Sequence, residues 1–152
     1  MGLGFGCLPA HVVPVRLKNW LKAEKLSFIQ LIGEQSRNTL FSYSVTLESG
    51  LNIKVFQYSH KIDSICVSAV LDLLPHQIKK LSQKSKVERE TILSEARLKL
   101  ACVDVSVTFG DNKMVVSNNI YFDGLTKDRF FNAVSDVEKA YSLAGWVMKH
   151  LL

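Results

Sequence analysis

No apolar run in this sequence reaches the ~18 residues that a membrane-spanning helix requires. The longest, "ICVSAVLDLL" from Ile65, is too short and carries Asp72, so no membrane partner is expected. Cysteine is sparse. Cys7, Cys66 and Cys102 are odd in number and far apart, and no C-x-x-C pair exists, which leaves zinc and dithiol redox chemistry without a signature. Cys66 and Cys102 stand in apolar runs and are expected as core thiols, with Cys7 a stray. The compartment this suggests is the cytoplasm. Charge is missing from the start: "MGLGFGCLPAHVVPV" has no charged side chain before Arg16. It lacks the basic n-region and small-residue cleavage site of a secretory signal. Gly6 and Cys7 stand where a myristoylation signal would place serine or threonine. Residues 1–13 are therefore expected to form a flexible or extended arm. There is no Walker loop, no G-x-G-x-x-G and no H-E-x-x-H. The four histidines, His11, His60, His76 and His150, are scattered and expected to be exposed. No cofactor, metal ligand or catalytic residue is assigned, and the expectation is a protein that is not an enzyme.

What is present suits one globular domain over residues 14–152. Apolar residues make up 47% of the 152 and charged residues 22%, with a net charge of +5. That balance permits a real core, and it permits attraction to nucleic acid without establishing it. A first helix is expected from Pro14 to Lys25, with Leu17, Trp20 and Leu21 on one face. Strands follow. "SFIQLI" is short and apolar. Phe41, Tyr43, Val45 and Leu47 then alternate with Ser42, Ser44 and Thr46, the period-two pattern of a half-buried strand. "LNIKVFQY" returns after a turn at Gly50, and "SICVSAVLDL" reads as a more buried strand. Pro75 starts a short helix, "PHQIKKLSQ". Ser85 and Glu88 form a capping box that opens a helix from Lys86 to Ala101, with Ile92, Ala96 and Leu100 as its core stripe and Arg89 among the residues facing water. "CVDVSVTF", a "GDNK" hairpin turn and "MVVSNNIYF" complete the strands. The fold class is α+β: an antiparallel meander with helices packed on it, in the order α-ββββ-α-ββ-α.

The stretch Ser117–Phe131, "SNNIYFDGLTKDRFF", concentrates conspicuous residues. Thr126 has the character of a helix N-cap, and Asp128 falls in the first turn, where the helix dipole favours negative charge. Leu125 and Phe130 have the spacing of a hydrophobic staple. These assignments make the stretch a strand–helix joint. The alternative is a shallow pocket lined by Asn119, Tyr121 and Asp123. Asn118 and Asn119 have no evident role, and a β-bulge or strand end would account for them.

The final helix is expected to run from Lys127 to Leu152. Phe130, Val134, Val137, Tyr141, Ala144, Met148 and Leu151 form its buried seam. Leu143, Trp146 and Val147 lie on other sides. Either the first helix, with Leu17 and Trp20, covers them, or they form a partner or homodimer interface, where tryptophan is enriched. A basic cluster, Lys79, Lys80, Lys84, Lys86 and Arg89, could meet phosphates. It lacks neighbouring aromatics for base stacking, and Glu88 and Glu90 dilute it, so a solvated surface is the favoured reading.

The element order, together with "NWLKAE", "LPHQI", "ILSEARLKL" and above all "IYFDGLTKDRFFNAV", resembles an uncharacterised archaeal family with the type III secretion chaperone-like fold, which includes the YbjN-like proteins. The resemblance covers Arg16 to Leu152. It implies a non-catalytic module that binds a protein partner and forms a homodimer. True secretion chaperones tend to be acidic, whereas this chain is basic. An auxiliary nucleic-acid-binding protein using the basic helix surface is the alternative.

Overall fold

Val13, Leu17 and Leu21 recur every fourth residue, and all three are buried. That stripe makes the first helix, α1 (Val13–Ala23), amphipathic, and Pro14 sits in its first turn, where a missing N–H costs nothing. The helix starts one residue earlier than the sequence pattern indicates and follows a 3-10 turn at Ala10–Val12. It stops where Lys25 enters the left-handed region, φ 57°. The computed structural model describes residues 9–110 and 112–152. The first eight residues of the expected arm, Cys7 among them, lie outside the described residues.

Four strands form a meander: β1 (Ser27–Gln30), β2 (Thr39–Thr46), β3 (Asn52–Tyr58) and β4 (Ser64–Asp72). After α2 (Pro75–Ser82) and α3 (Lys86–Leu100) come β5 (Ser106–Gly110), β6 (Lys113–Tyr121) and α4 (Lys127–Leu151). The architecture is α+β, a six-stranded antiparallel sheet in the order β1-β2-β3-β4-β6-β5. The expected order holds, with two helices, α2 and α3, between β4 and β5. The chain divides into two packing units, Met1–Ser68 with Asn119–Val134 and Ala69–Asn118 with Ser135–Leu152.

In the first unit, the register aligns Tyr43 with Val55 and Val55 with Val67. One row across three strands is therefore wholly apolar on one face, and every member of it is buried. Phe28 and Phe41 pack around Tyr43, with ring centroids 5.9 and 5.5 Å away. From the helices, Trp20 meets Phe130 at 6.0 Å. Tight turns join the strands. Gly50, at φ 90°, supplies the angle an L side chain resists, and its amide donates to the Leu47 carbonyl at 2.9 Å.

The opposite face of the same strands carries Ser42, Phe56 and Cys66 side by side. Period-two reading makes Ser42 a solvent-facing residue, yet it is 0% exposed. Its Oγ finds no hydrogen-bond partner among the described residues. A buried hydroxyl without a partner costs free energy that an apolar side chain of similar size avoids. Ser42→Ala is accordingly expected to be neutral or stabilising by up to about 1 kcal/mol; urea denaturation checks this, and a clear loss of stability would mean the hydroxyl is satisfied.

In the second unit the core is Ala96, Leu100, Met114, Ala144, Val147 and Met148. α2 is opened by Pro75 and by Gln77, whose Oε1 accepts the Leu74 amide at 2.9 Å. α3 begins with the expected capping box: Ser85 Oγ accepts the Glu88 amide at 3.2 Å, and Glu88 Oε1 accepts the Ser85 amide at 3.3 Å. Two sequence expectations are corrected here. Cys102 is exposed, not a core thiol. The strand it was assigned to begins four residues later, and its Sγ lies 3.4 Å from the Lys99 carbonyl at the end of α3. Asn118 is neither at a strand end nor without a role. It is buried within β6, and its Nδ2 donates to the Asp104 carbonyl at 2.9 Å. That bond pins the α3–β5 connection, whose backbone would otherwise lack a partner there.

Candidate functional site

The joint between β6 and α4 is built as local chemistry dictates. Thr126 Oγ1 accepts the Arg129 amide at 3.1 Å, satisfying one of the orphan donors of a helix start. Asp128 stands in the first turn. Leu125 and Phe130, the staple positions, are both buried. Thr126→Ala is expected to cost ~1 kcal/mol and to leave binding activities intact; a variant of unchanged stability that has lost binding would make Thr126 a functional residue.

Two members of the alternative site in this stretch do meet. Tyr121 and Asp123 line a cleft of about 500 Å³ with Ile62, Asp63 and Phe122. Asn119 is not among its lining residues. Among the described residues the lining offers these two carboxylates, Asp63 and Asp123, with neither a histidine nor a cation beside them, so it supplies no counter-charge for a developing anion.

The basic cluster does not line a single hollow. Lys80 and Lys84 border a hollow with Glu88, Leu151 and Leu152, and Lys80 Nζ donates to the Leu152 main-chain oxygen. Lys79 is exposed and lines neither hollow. Lys86 and Arg89 turn instead to a different cleft of about 330 Å³. Its floor is Leu73, Leu81, Leu93 and Phe109, and its rim adds Glu90 and Lys113. Lys86, Arg89, Glu90 and Leu93 fall at i, i+3, i+4 and i+7, so one face of α3 supplies one wall. Residues of β5 and β6, with Leu73 and Leu81, supply the rest. The Arg97 guanidinium sits over the Phe109 ring at 4.9 Å. Arg89 is exposed, as expected, and stands also at the edge of an apolar cleft. The helical spacing was visible in the sequence. Phe109 and Lys113 were missed, because nothing local to them says which helix lies opposite.

Glu88, at the start of the same helix, has its carboxyl held below the usual range by the Ser85 hydroxyl, then by the Ser85 amide, with Lys84 adding to the effect. Since the folded-state pKa is lowered, the cap's contribution is present above the unfolded value. It is lost as pH falls through the folded one. In Ser85→Ala the Glu88 titration, followed by NMR, is expected to move up toward the ordinary carboxylate value; an unchanged midpoint would remove the hydroxyl as the cause.

The three residues assigned to an interface on α4 have different environments. Trp146 is 55% exposed and stacks on His150, with ring centroids 4.0 Å apart. Leu143 is half-buried against the core of the second unit. Val147 is 1% exposed and belongs to that core. Its place in the surface patch is corrected: Val147 is one residue before Met148, and both fit within the broad apolar stripe of a core-facing helix. All four histidines are exposed. Among the described residues no group of three or more histidine, cysteine, aspartate or glutamate side chains is placed to hold a metal ion. No helix among them is long and apolar enough to cross a membrane.

The sequence matches the family model "Uncharacterized conserved protein (DUF2299)" over residues 15–148. Among solved structures it is similar to the crystal structure of an uncharacterized protein from Methanothermobacter thermautotrophicus. The TM-score is 0.75 at 24% identity, with 90% of this chain and 96% of that chain covered. At that identity the likeness shows the fold. No curated protein matches the sequence.

Proposed function

The chain belongs to the DUF2299 family of uncharacterized conserved proteins, and from that premise we propose that it is a non-catalytic, polypeptide-binding module that works as a homodimer, akin to the type III secretion chaperone-like proteins. The observation that carries this reading is the α3 cleft. An apolar floor beside exposed cations is surface shaped for a protein ligand, because bulky apolar anchors seated in pockets dominate protein recognition. Trp146 supports the homodimer, being a large side chain left more than half exposed on an otherwise well-packed helix. A two-fold contact would place each Trp146 against the same region of the other copy.

Two measurements test the reading. Sedimentation equilibrium is expected to show a dimer for the wild type and a monomer for Trp146→Glu; a wild type monomeric at high concentration would end the dimer proposal. Immobilised protein, challenged with an extract of the source cell at high salt, is expected to retain a specific polypeptide. If what it retains is removed by nuclease, nucleic acid is the partner instead. The net charge of +5 favours that second reading. Its own test is the replacement of Lys79, Lys80, Lys84 and Lys86 by glutamine, which would abolish salt-sensitive DNA or RNA binding and leave stability nearly unchanged.

A further inference from the structure

We infer that the cleft walled by α3 and the β5–β6 hairpin takes a short polypeptide segment in which one bulky apolar side chain is flanked by acidic residues. This deepens the polypeptide-binding reading and rests on it. The side chains of Leu73, Leu81, Leu93 and Phe109 make the lining mostly apolar, with Asn112 and the rim charges as its polar part, so an occupant gains chiefly by burying apolar surface. At about 330 Å³ the space lies at the low end of ligand clefts, suited to one large side chain.

The rim decides what flanks that side chain. Among the described residues that line the cleft, Lys86, Arg89 and Lys113 stand against one carboxylate, that of Glu90. None of the three cations forms an ion pair among the described residues, whose salt bridges run between other partners. Arg97, over the Phe109 ring, adds positive potential at the floor. An excess of exposed cations around an apolar well attracts an acidic segment and repels a basic one. It rejects a neutral apolar segment less strongly, so charge sets specificity while the apolar floor holds the anchor. A nucleic-acid strand fits worse: stacking needs aromatic faces in succession, and the cleft has one, already covered by a guanidinium on one side.

The test selects short random peptides from a display library on the wild-type protein and re-measures the winners by fluorescence anisotropy. The expected winners carry phenylalanine, leucine or tryptophan beside aspartate or glutamate. Their affinity is expected to fall about tenfold or more in Lys86→Glu/Arg89→Glu, and similarly in Leu93→Asp. Circular dichroism confirms that each variant is folded; Lys86 and Arg89 are exposed, so the double variant is the one that keeps its fold most readily. Winners without acidic residues, an empty selection, or undiminished binding by the double variant would overturn the inference. So would displacement of the winning peptide by decanoate or by a single-stranded oligonucleotide at lower concentration than the peptide itself. If the immobilised wild type still retains a polypeptide at high salt and the double variant retains it equally, the cleft fails and the wider reading stands. If neither retains any, the wider reading fails.

Discussion

Phe130→Ala is expected to destabilise the protein by about 3–5 kcal/mol. The ring is 0% exposed and sits among aromatic neighbours, 6.0 Å from Trp20 and 5.0 Å from Phe131 between centroids. Truncation removes its transfer free energy and leaves a cavity that rigid flat neighbours close poorly. It also removes half of the staple that sets where α4 begins. With total stabilities of about 5–15 kcal/mol, the variant would hold little reserve. Thermal and urea unfolding measure the effect; a loss under 1 kcal/mol would show that the first unit does not depend on this ring.

Val147→Asp is expected to be as damaging, at more than about 4 kcal/mol, whereas Trp146→Glu is expected to change monomer stability by no more than about 0.5 kcal/mol. The two positions are adjacent and would be grouped by any reading that counts large apolar residues. Val147 packs with Ala96, Leu100 and Met114, and a carboxylate there has neither water nor a cation to compensate its charge. Trp146 is not among the residues of that core; it is 55% exposed, and its ring stacks on His150. Unfolding of wild type and both variants at a protein concentration low enough to keep the wild type monomeric makes the comparison. Equal losses would mean that Trp146 carries structural weight within the chain.

This pair also marks what the sequence could convey. Features made by residues three or four apart were legible. The Ser85–Glu88 box and the Thr126 cap are contacts within one turn, and propensity and spacing alone determine them. The row of Tyr43, Val55 and Val67 was half legible: alternation told which residues share a face, but register told which ones touch. What remained hidden depends on partners distant in the chain. Asn118 answers to Asp104, Ser42 is enclosed although the pattern turns it outward, and the cleft exists because Phe109 and Lys113 come to stand opposite Arg89. The α4 stripe was read too narrowly for the same reason. A strict four-three seam is narrower than the stripe a core-facing helix buries, and Ala133, Ala140 and Val147, all buried, widen it.

The strand order has a consequence for how the protein is made. β4 receives β6, not β5, as its second neighbour, so the strand that completes it is synthesised after α2, α3 and β5. At the roughly 5–20 residues per second of a ribosome, a nascent meander of β1 to β4 waits several seconds with one flank of β4 unpaired. That flank is a row of backbone N–H and C=O groups on a strand rich in β-forming residues, Ile65, Val67 and Val70 among them, and such an edge pairs with another chain when left open. Crowded polysomes, or refolding at high protein concentration, are therefore where this fold is most vulnerable to misassembly, and the yield of refolded protein should fall with concentration well before the native state itself is at risk.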